Sequence, residues 1–219
     1  PGPEVIRFTV GQPDFDTPIS VVNAAKDALD RGETAYTRTQ GSVELCEAVA
    51  QHLTVHDIEA DPADVVVTPG CKQAVLYGLM AILDAGDEVL LLSPAWPSYD
   101  GMVKLTGAVP IHVPVKRENY HPNFENLEAA VTSKTKAIML NSPNNPTGAV
   151  YTPEEVEKIV AFAIKHGDHH VAAQADQIAI IALHRRAVHE AYFTVKTGFH
   201  EAGISHLCRT TNVEGTHGQ

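Results

Sequence analysis

Three short segments of this 219-residue chain carry residues whose types and spacing can do chemistry: Gly70 with Cys71 and Lys72, Trp96, and Asn145. Gly70 opens a stretch of helical periodicity, CKQAVLYGLMAILDAG. The first N–H groups of that helix, on Cys71 and Lys72, have no acceptor within it and form a ready site for a phosphate dianion. Strand–Gly–helix turns are also common without a ligand, so taken alone this one reads as structure. Trp96 is the only tryptophan and follows a strand end, where its flat face can stack on a heteroaromatic ring or simply line a core. Asn145 lies in SPNNPTG, and an Asn followed by Pro in a turn presents a rigidly held carboxamide, able to hydrogen-bond a phenolate oxygen or a carboxylate. A second constellation, His166, His169 and His170 with His184 and His189, has the three- to five-residue intervals that let imidazoles share a helix face. No carboxylate or thiolate completes a ligand set there, so solvated surface is the plainer reading and no metal site is expected.

The elements that must position these residues follow from periodicity. ISVVNAAKDALDRG, entered at Pro18 and closed by Gly32, predicts a capped helix, and SVELCEAVAQHL repeats the pattern. VVVTPG, EVLLLSP, VPIHVPV and KAIMLNSP read as strands, and WPSYDGMVKLTG and TPEEVEKIVAFAIKHG as helices. Continuous apolar runs, rather than strict alternation, imply strands buried on both faces. The expected fold is therefore α/β, a mostly parallel sheet flanked by helices. Ligands on such sheets sit at the carboxyl ends of strands, which singles out TPGCK, SPAWPSY and SPNNPTG.

Composition narrows the function classes. A net charge of −11 opposes binding to nucleic-acid backbones, and no apolar run reaches the roughly 18 residues that span a bilayer. Cys46, Cys71 and Cys208 include no close-spaced pair, which argues against a disulfide framework or zinc knuckle and fits a reducing, cytoplasmic setting. The N-terminus, PGPEVIRF, carries no secretion or import pattern. Composition changes near residue 168: every proline lies at or before Pro153, and eight of the 12 histidines lie at or after His166. Residues 169–219 hold four acidic and four basic side chains, so the net charge belongs to 1–168. The chain is accordingly read as a main domain, 1–168, and a divergent tail, 169–219.

Taken in order, FTVGQPDFDTP, ETAYTRTQGSVELCEAV, TPGCKQAV, LLSPAWPSY and NSPNNPTGAVY closely resemble the class I/II aminotransferases, the fold-type I enzymes that use pyridoxal 5′-phosphate. The resemblance runs from about Val5 to His166. It implies amino-group transfer between an amino acid and a 2-oxo acid, and a homodimer. It places Gly11 beside the substrate carboxylate, where small size permits close approach, and makes Gly70, Cys71 and Lys72 the phosphate cup. Cys71 stands where the family often has a hydroxyl, which weakens one phosphate hydrogen bond. Trp96 corresponds to the aromatic stacked on the pyridine ring, Asn145 to the asparagine on the ring's 3′-oxygen, and Tyr36 to the tyrosine that reaches the neighbouring subunit's cofactor phosphate.

Past His166 the pattern is broken. The aspartate that pairs with the ring nitrogen has a partial echo in Asp176, but Ala179 stands where a tyrosine is expected. The Ser-Lys motif of the Schiff-base lysine, and the arginine after it, are absent. Lys196 follows the strand-like AYFTVKTGF, yet its surroundings fit a surface lysine better. The family's C-terminal small domain, with its carboxylate-binding arginine, has no counterpart in the 219 residues. Because transamination needs a lysine to bond the cofactor and move a proton, two readings stand side by side. One is an aminotransferase, or part of one. The other is a non-catalytic protein that keeps the fold for cofactor or dimer contacts.

Overall fold

EVLLLS and TKAIMLNS, each with an unbroken apolar run at its centre, form strands β1 (Glu88–Ser93) and β3 (Thr135–Ser142) in the middle of a sheet. The computed structural model describes residues 15–54, 60–166, 177–182 and 193–196. It divides into two units, Pro1–Thr39 and Gln40–Gln219.

In the first unit the described element is α1 (Ile19–Asp30), entered at Pro18 as its sequence predicts. Its end is closed by Gly32 at φ +77°, with Gly32 N–H donating to Leu29 O and Glu33 N–H to Ala28 O. This doubled closure requires a left-handed residue at Gly32, which glycine adopts without a Cβ penalty.

In the second unit, α2 (Val43–Thr54) is capped by Ser42, whose Oγ accepts from Leu45 N–H at 3.2 Å. A 3₁₀ turn (Pro62–Asp64) and α3 (Cys71–Ile82) lead into β1. Then come α4 (Ser98–Leu105), β2 (Val109–Pro114), α5 (Phe124–Ala130), β3 and α6 (Pro153–His166), with β4 (Gln177–Ala182) and β5 (Phe193–Lys196) last. The sheet order is β2-β1-β3-β4-β5. β1 is parallel to both β2 and β3, while β4 pairs antiparallel with β3 and β5 antiparallel with β4.

Alternation along β1 and β3 divides the core between two faces. Leu90, Leu92, Ile138 and Leu140 pack against Leu127 of α5 and against Val156, Ile159 and Phe162 of α6. Val89, Leu91, Ala137 and Met139 pack against Val75 and Leu79 of α3 and Tyr99, Met102 and Val103 of α4. The fold is thus α/β with helices on both faces of the sheet, the arrangement expected for strands whose central residues are apolar on both faces.

The run VVVTPG departs from expectation: residues 65–67 form no strand. Val67 N–H donates to Gln40 O, and buried Val65 joins Cys46 and Ala50 of α2 in a separate small cluster. The run is short and closed by Pro69, which has no N–H for a ladder, so it packs on α2 instead. α5 was not expected; Asn123 caps it by accepting from Glu125 and Asn126 N–H. Among the described residues, no helix is long and apolar enough to cross a membrane.

Candidate functional site

Two neighbouring parallel strands, β1 and β3, end at the same edge of the sheet, and the loops leaving them carry Trp96 and Asn145. The N-terminus of α3 meets the first of these loops. Lys72 Nζ lies over the Trp96 ring, 5.0 Å from its centroid, a cation–π contact. The second loop is tied to the first by buried Asn144, whose Nδ2 donates to Pro94 O at 3.0 Å. Gly70, Lys72, Trp96 and Asn145, predicted from four separate positions of the sequence, are thereby assembled at one edge.

Gly70 sits at φ +88°, ψ 157° and caps α3 without any side-chain hydrogen bond. Nothing lies within 4 Å of the place a Cβ would occupy, so the backbone conformation, not crowding, is what asks for glycine. The turn is pinned behind the cap, with Gly70 N–H donating to Thr68 O at 2.8 Å and Thr68 Oγ1 donating to Gly70 O at 2.9 Å. The N–H groups of Cys71 and Lys72 have no acceptor among the described residues. Cys71 is a half-buried free thiol.

Trp96 is half-buried and braced by Tyr99, whose ring meets it edge-on at 5.4 Å and 87°. Tyr99 is 3% exposed, and burial, followed by the nearby Cys71, pushes its hydroxyl well above the ordinary tyrosine range. It therefore stays a neutral ring under Trp96.

The two asparagines of SPNNPTG have opposite roles. Asn144 is internal: besides Pro94 O, its Nδ2 donates to Thr147 Oγ1 at 2.8 Å, its N–H to Ala149 O, and its carbonyl accepts from Gly148 N–H. Asn145 is exposed, its N–H fixed by Asn141 Oδ1 at 2.9 Å, and its carboxamide has no partner among the described residues. The arrangement offers phosphate donors, a stacking plane and a free carboxamide, the groups a planar phosphorylated heteroaromatic needs.

The remaining expected residues are placed less fully. Tyr36 belongs to the first unit and is wholly exposed. Gly11 and Asp176 lie outside the described residues, as do His169, His170, His184 and His189. His166 pairs with Glu128 Oε2 at 2.7 Å, and no group of three potential metal ligands occurs among the described residues. Lys196 ends β5, paired with Gln177, which is in turn paired with Ser142. The register therefore brings the backbone at Lys196 to the same sheet edge as the site. Asn144, Asn141 and Thr147 were not singled out in the sequence: Asn144 is buried by its bond to Pro94, far away in the chain, while Asn141 and Thr147 brace the same loop through local bonds that no motif marks.

Residues 3–175 match the family model described as aminotransferase class I and II. Among curated proteins, a probable aspartate/prephenate aminotransferase of Aquifex aeolicus is 45% identical over 168 residues, covering 76% of this chain and 43% of that protein. An aromatic-amino-acid aminotransferase of Thermococcus litoralis is 44% identical over 165 residues, 74% of this chain and 42% of the relative. Of solved structures, an aromatic aminotransferase from Pyrococcus horikoshii aligns with TM-score 0.72 and 44% identity over 76% of this chain and 45% of its own. The Thermus thermophilus aspartate aminotransferase with maleate aligns with TM-score 0.68 and 43% identity over 72% and 42%. The chain thus spans less than half the length of these relatives. Over the part it spans, motif order, sheet and sequence agree, and the chain belongs to the class I and II aminotransferase family.

Proposed function

We propose that the chain binds pyridoxal 5′-phosphate at the strand-end site and takes part in amino-group transfer between an amino acid and a 2-oxo acid. The observation that carries this reading is the assembly of the α3 N-terminus, Trp96 and Asn145 at one sheet edge. Bound pyridoxal phosphate supplies an electron sink for the substrate's α-carbon and carries the amino group between the two substrates. The chain's own residues bind and orient it. The N–H groups of Cys71 and Lys72 take the phosphate, and Lys72 Nζ adds a positive charge beside Trp96. The Trp96 indole holds the ring plane, and the Asn145 carboxamide donates to an oxygen at the ring edge.

Gly11 is assigned to the substrate carboxylate, Asp176 to the ring nitrogen and Lys196 to the lysine that bonds the cofactor. The last rests on the register that brings Lys196 to the site's edge of the sheet. Tyr36, with its ring uncovered in its own chain, is assigned to a second subunit's cofactor phosphate in a homodimer. The similar proteins are named for aspartate, prephenate and aromatic amino acids, so the substrate proposed is an acidic or aromatic amino acid. The second reading, a non-catalytic protein that binds the cofactor, is favoured by the absence of the Ser-Lys motif.

Because Trp96 is the only tryptophan, pyridoxal phosphate titrated into the protein reports its own stacking. Saturable quenching of Trp96 emission, lost in Gly70→Ala, is the expected result. Absence of quenching contradicts cofactor binding. Quenching without amino transfer from aspartate or phenylalanine favours the non-catalytic reading.

A further inference from the structure

Ser93 and Asp100 bracket the turn that carries Trp96, and one imidazole holds both. Ser93 ends β1, Trp96 follows three residues later, and Asp100 lies in the first turn of α4. His112 of β2 bonds Ser93 Oγ through Nδ1 at 2.9 Å and Asp100 Oδ1 through Nε2 at 3.1 Å. An ionised carboxylate only accepts, so Nε2 carries a proton and donates to Asp100. In the neutral imidazole this leaves Nδ1 to accept from the Ser93 hydroxyl. Asp100 is fixed a second time by Lys104, one helical turn on, at 2.6 Å. The hydrogen bonds from Lys104 and then His112 hold the Asp100 carboxyl below the ordinary aspartate range, so it remains an acceptor at neutral pH. Inside the bracket, Trp96 O accepts from Tyr99 N–H at 3.0 Å, and Pro94 O is held by Asn144.

We propose that His112 is a positioning residue: by clasping Ser93 and Asp100 it sets the angle at which Trp96 presents its ring, and through that ring the affinity of the site for a planar phosphorylated ligand. The consequence for affinity rests on the pyridoxal-phosphate reading above; the effect on Trp96 does not. The groups facing His112 are the Ser93 hydroxyl from β1 and the Asp100 and Lys104 side chains from α4, while Lys72 approaches Trp96 from α3. The His112 side chain is 52% exposed and belongs to neither apolar cluster of the sheet, so releasing the clasp alters the turn more than the global fold. Its geometry is what distinguishes it from an ordinary surface pair, because the two contacts reach residues on opposite sides of Trp96.

The test uses His112→Leu, which removes both hydrogen bonds, and His112→Gln, whose amide can still donate to Asp100. Ser93→Ala and Asp100→Ala, which removes the acceptor for Nε2, cut the clasp independently should His112→Leu fail to fold. The long-wavelength near-UV circular dichroism band of the single indole reads the Trp96 environment without any ligand. The band in His112→Leu is expected to fall to about half, with far-UV signal unchanged and partial recovery in His112→Gln. Affinity for pyridoxal phosphate, read by Trp96 quenching, is expected to fall about three- to tenfold, the worth of one oriented aromatic contact. An unchanged indole band in His112→Leu, or in both Ser93→Ala and Asp100→Ala, overturns the clasp. A changed band with unchanged affinity overturns its link to the ligand. If the unsubstituted protein binds no pyridoxal phosphate, the cofactor reading fails, and the clasp is decided by the indole band alone.

Discussion

Asn144 and Asn145 are adjacent, chemically identical and placed in opposite environments, which makes them a clean pair for separating stability from binding. Asn144 is 6% exposed and its amide joins the two site loops. Asn144→Ala strands the Pro94 carbonyl and is expected to cost about 1–3 kcal/mol in urea unfolding. Asn145→Ala removes an exposed carboxamide and is expected to change stability by less than about 0.5 kcal/mol while weakening pyridoxal phosphate binding severalfold. Equal effects on stability would contradict the division of labour. Gly70→Ala tests the cup in the same way. At φ +88° and ψ 157° a Cβ is strained whatever the space around it, so a loss of about 1–3 kcal/mol is expected together with loss of phosphate binding. The candidate site was legible here because motif order identifies residues by their neighbours in sequence. It could not show that Asn144 is the internal member of the pair, since that depends on Pro94, 50 positions away in the chain.

The elements were legible where one signal dominated and illegible where two competed. β1, β3, α4 and α6 were foreseen because apolar runs and helical periodicity are strong there, and all four now supply the core. Leu90→Ala in β1, at 0% exposure, is expected to cost about 2–5 kcal/mol, whereas Leu105→Ala at the end of α4, at 73% exposure, is expected to stay within about 0.5 kcal/mol. Chemical denaturation of the two variants checks this directly. VVVTPG misled because β-branched composition suggests a strand, while Pro69 and the nearby face of α2 offer it a different place to bury Val65. At the junction of α5 and α6, Glu128 is held below the ordinary carboxyl value of 4.5, by the Lys165 hydrogen bond first and the His166 imidazole after it. A lowered pKa in the fold means the contact stabilises above the ordinary value and is lost as pH falls through the folded one. Lys165→Met is therefore expected to melt below the parent at pH 7, the difference closing as pH drops past 4.5. A difference that persists in acid would show that packing, not charge, links the two helices.

At the scale of the whole molecule, a two-faced α/β sheet gathers the carboxyl ends of β1 and β3 and the N-terminus of α3, which is why motifs scattered over 76 residues, Gly70 to Asn145, reach one sheet edge. The family relationship covers three quarters of this chain but less than half of each relative. Cofactor binding is consequently the claim that the described residues bear most directly, with amino transfer resting upon it. Residues 169–219 were the least legible part, because the match to the family model ends at residue 175 and their composition differs from the rest. Lys196 is the point where that tail meets the site, through the β3-β4-β5 register. The most direct test is to add pyridoxal phosphate, remove the excess, record the visible absorbance, reduce with borohydride and map the labelled peptide by mass. A retained visible band is expected, and a label on Lys196 would identify the bonding lysine, whereas a band without a fixed label points to non-catalytic binding. If no pyridoxal phosphate is retained, the strand-end site does not bind the cofactor.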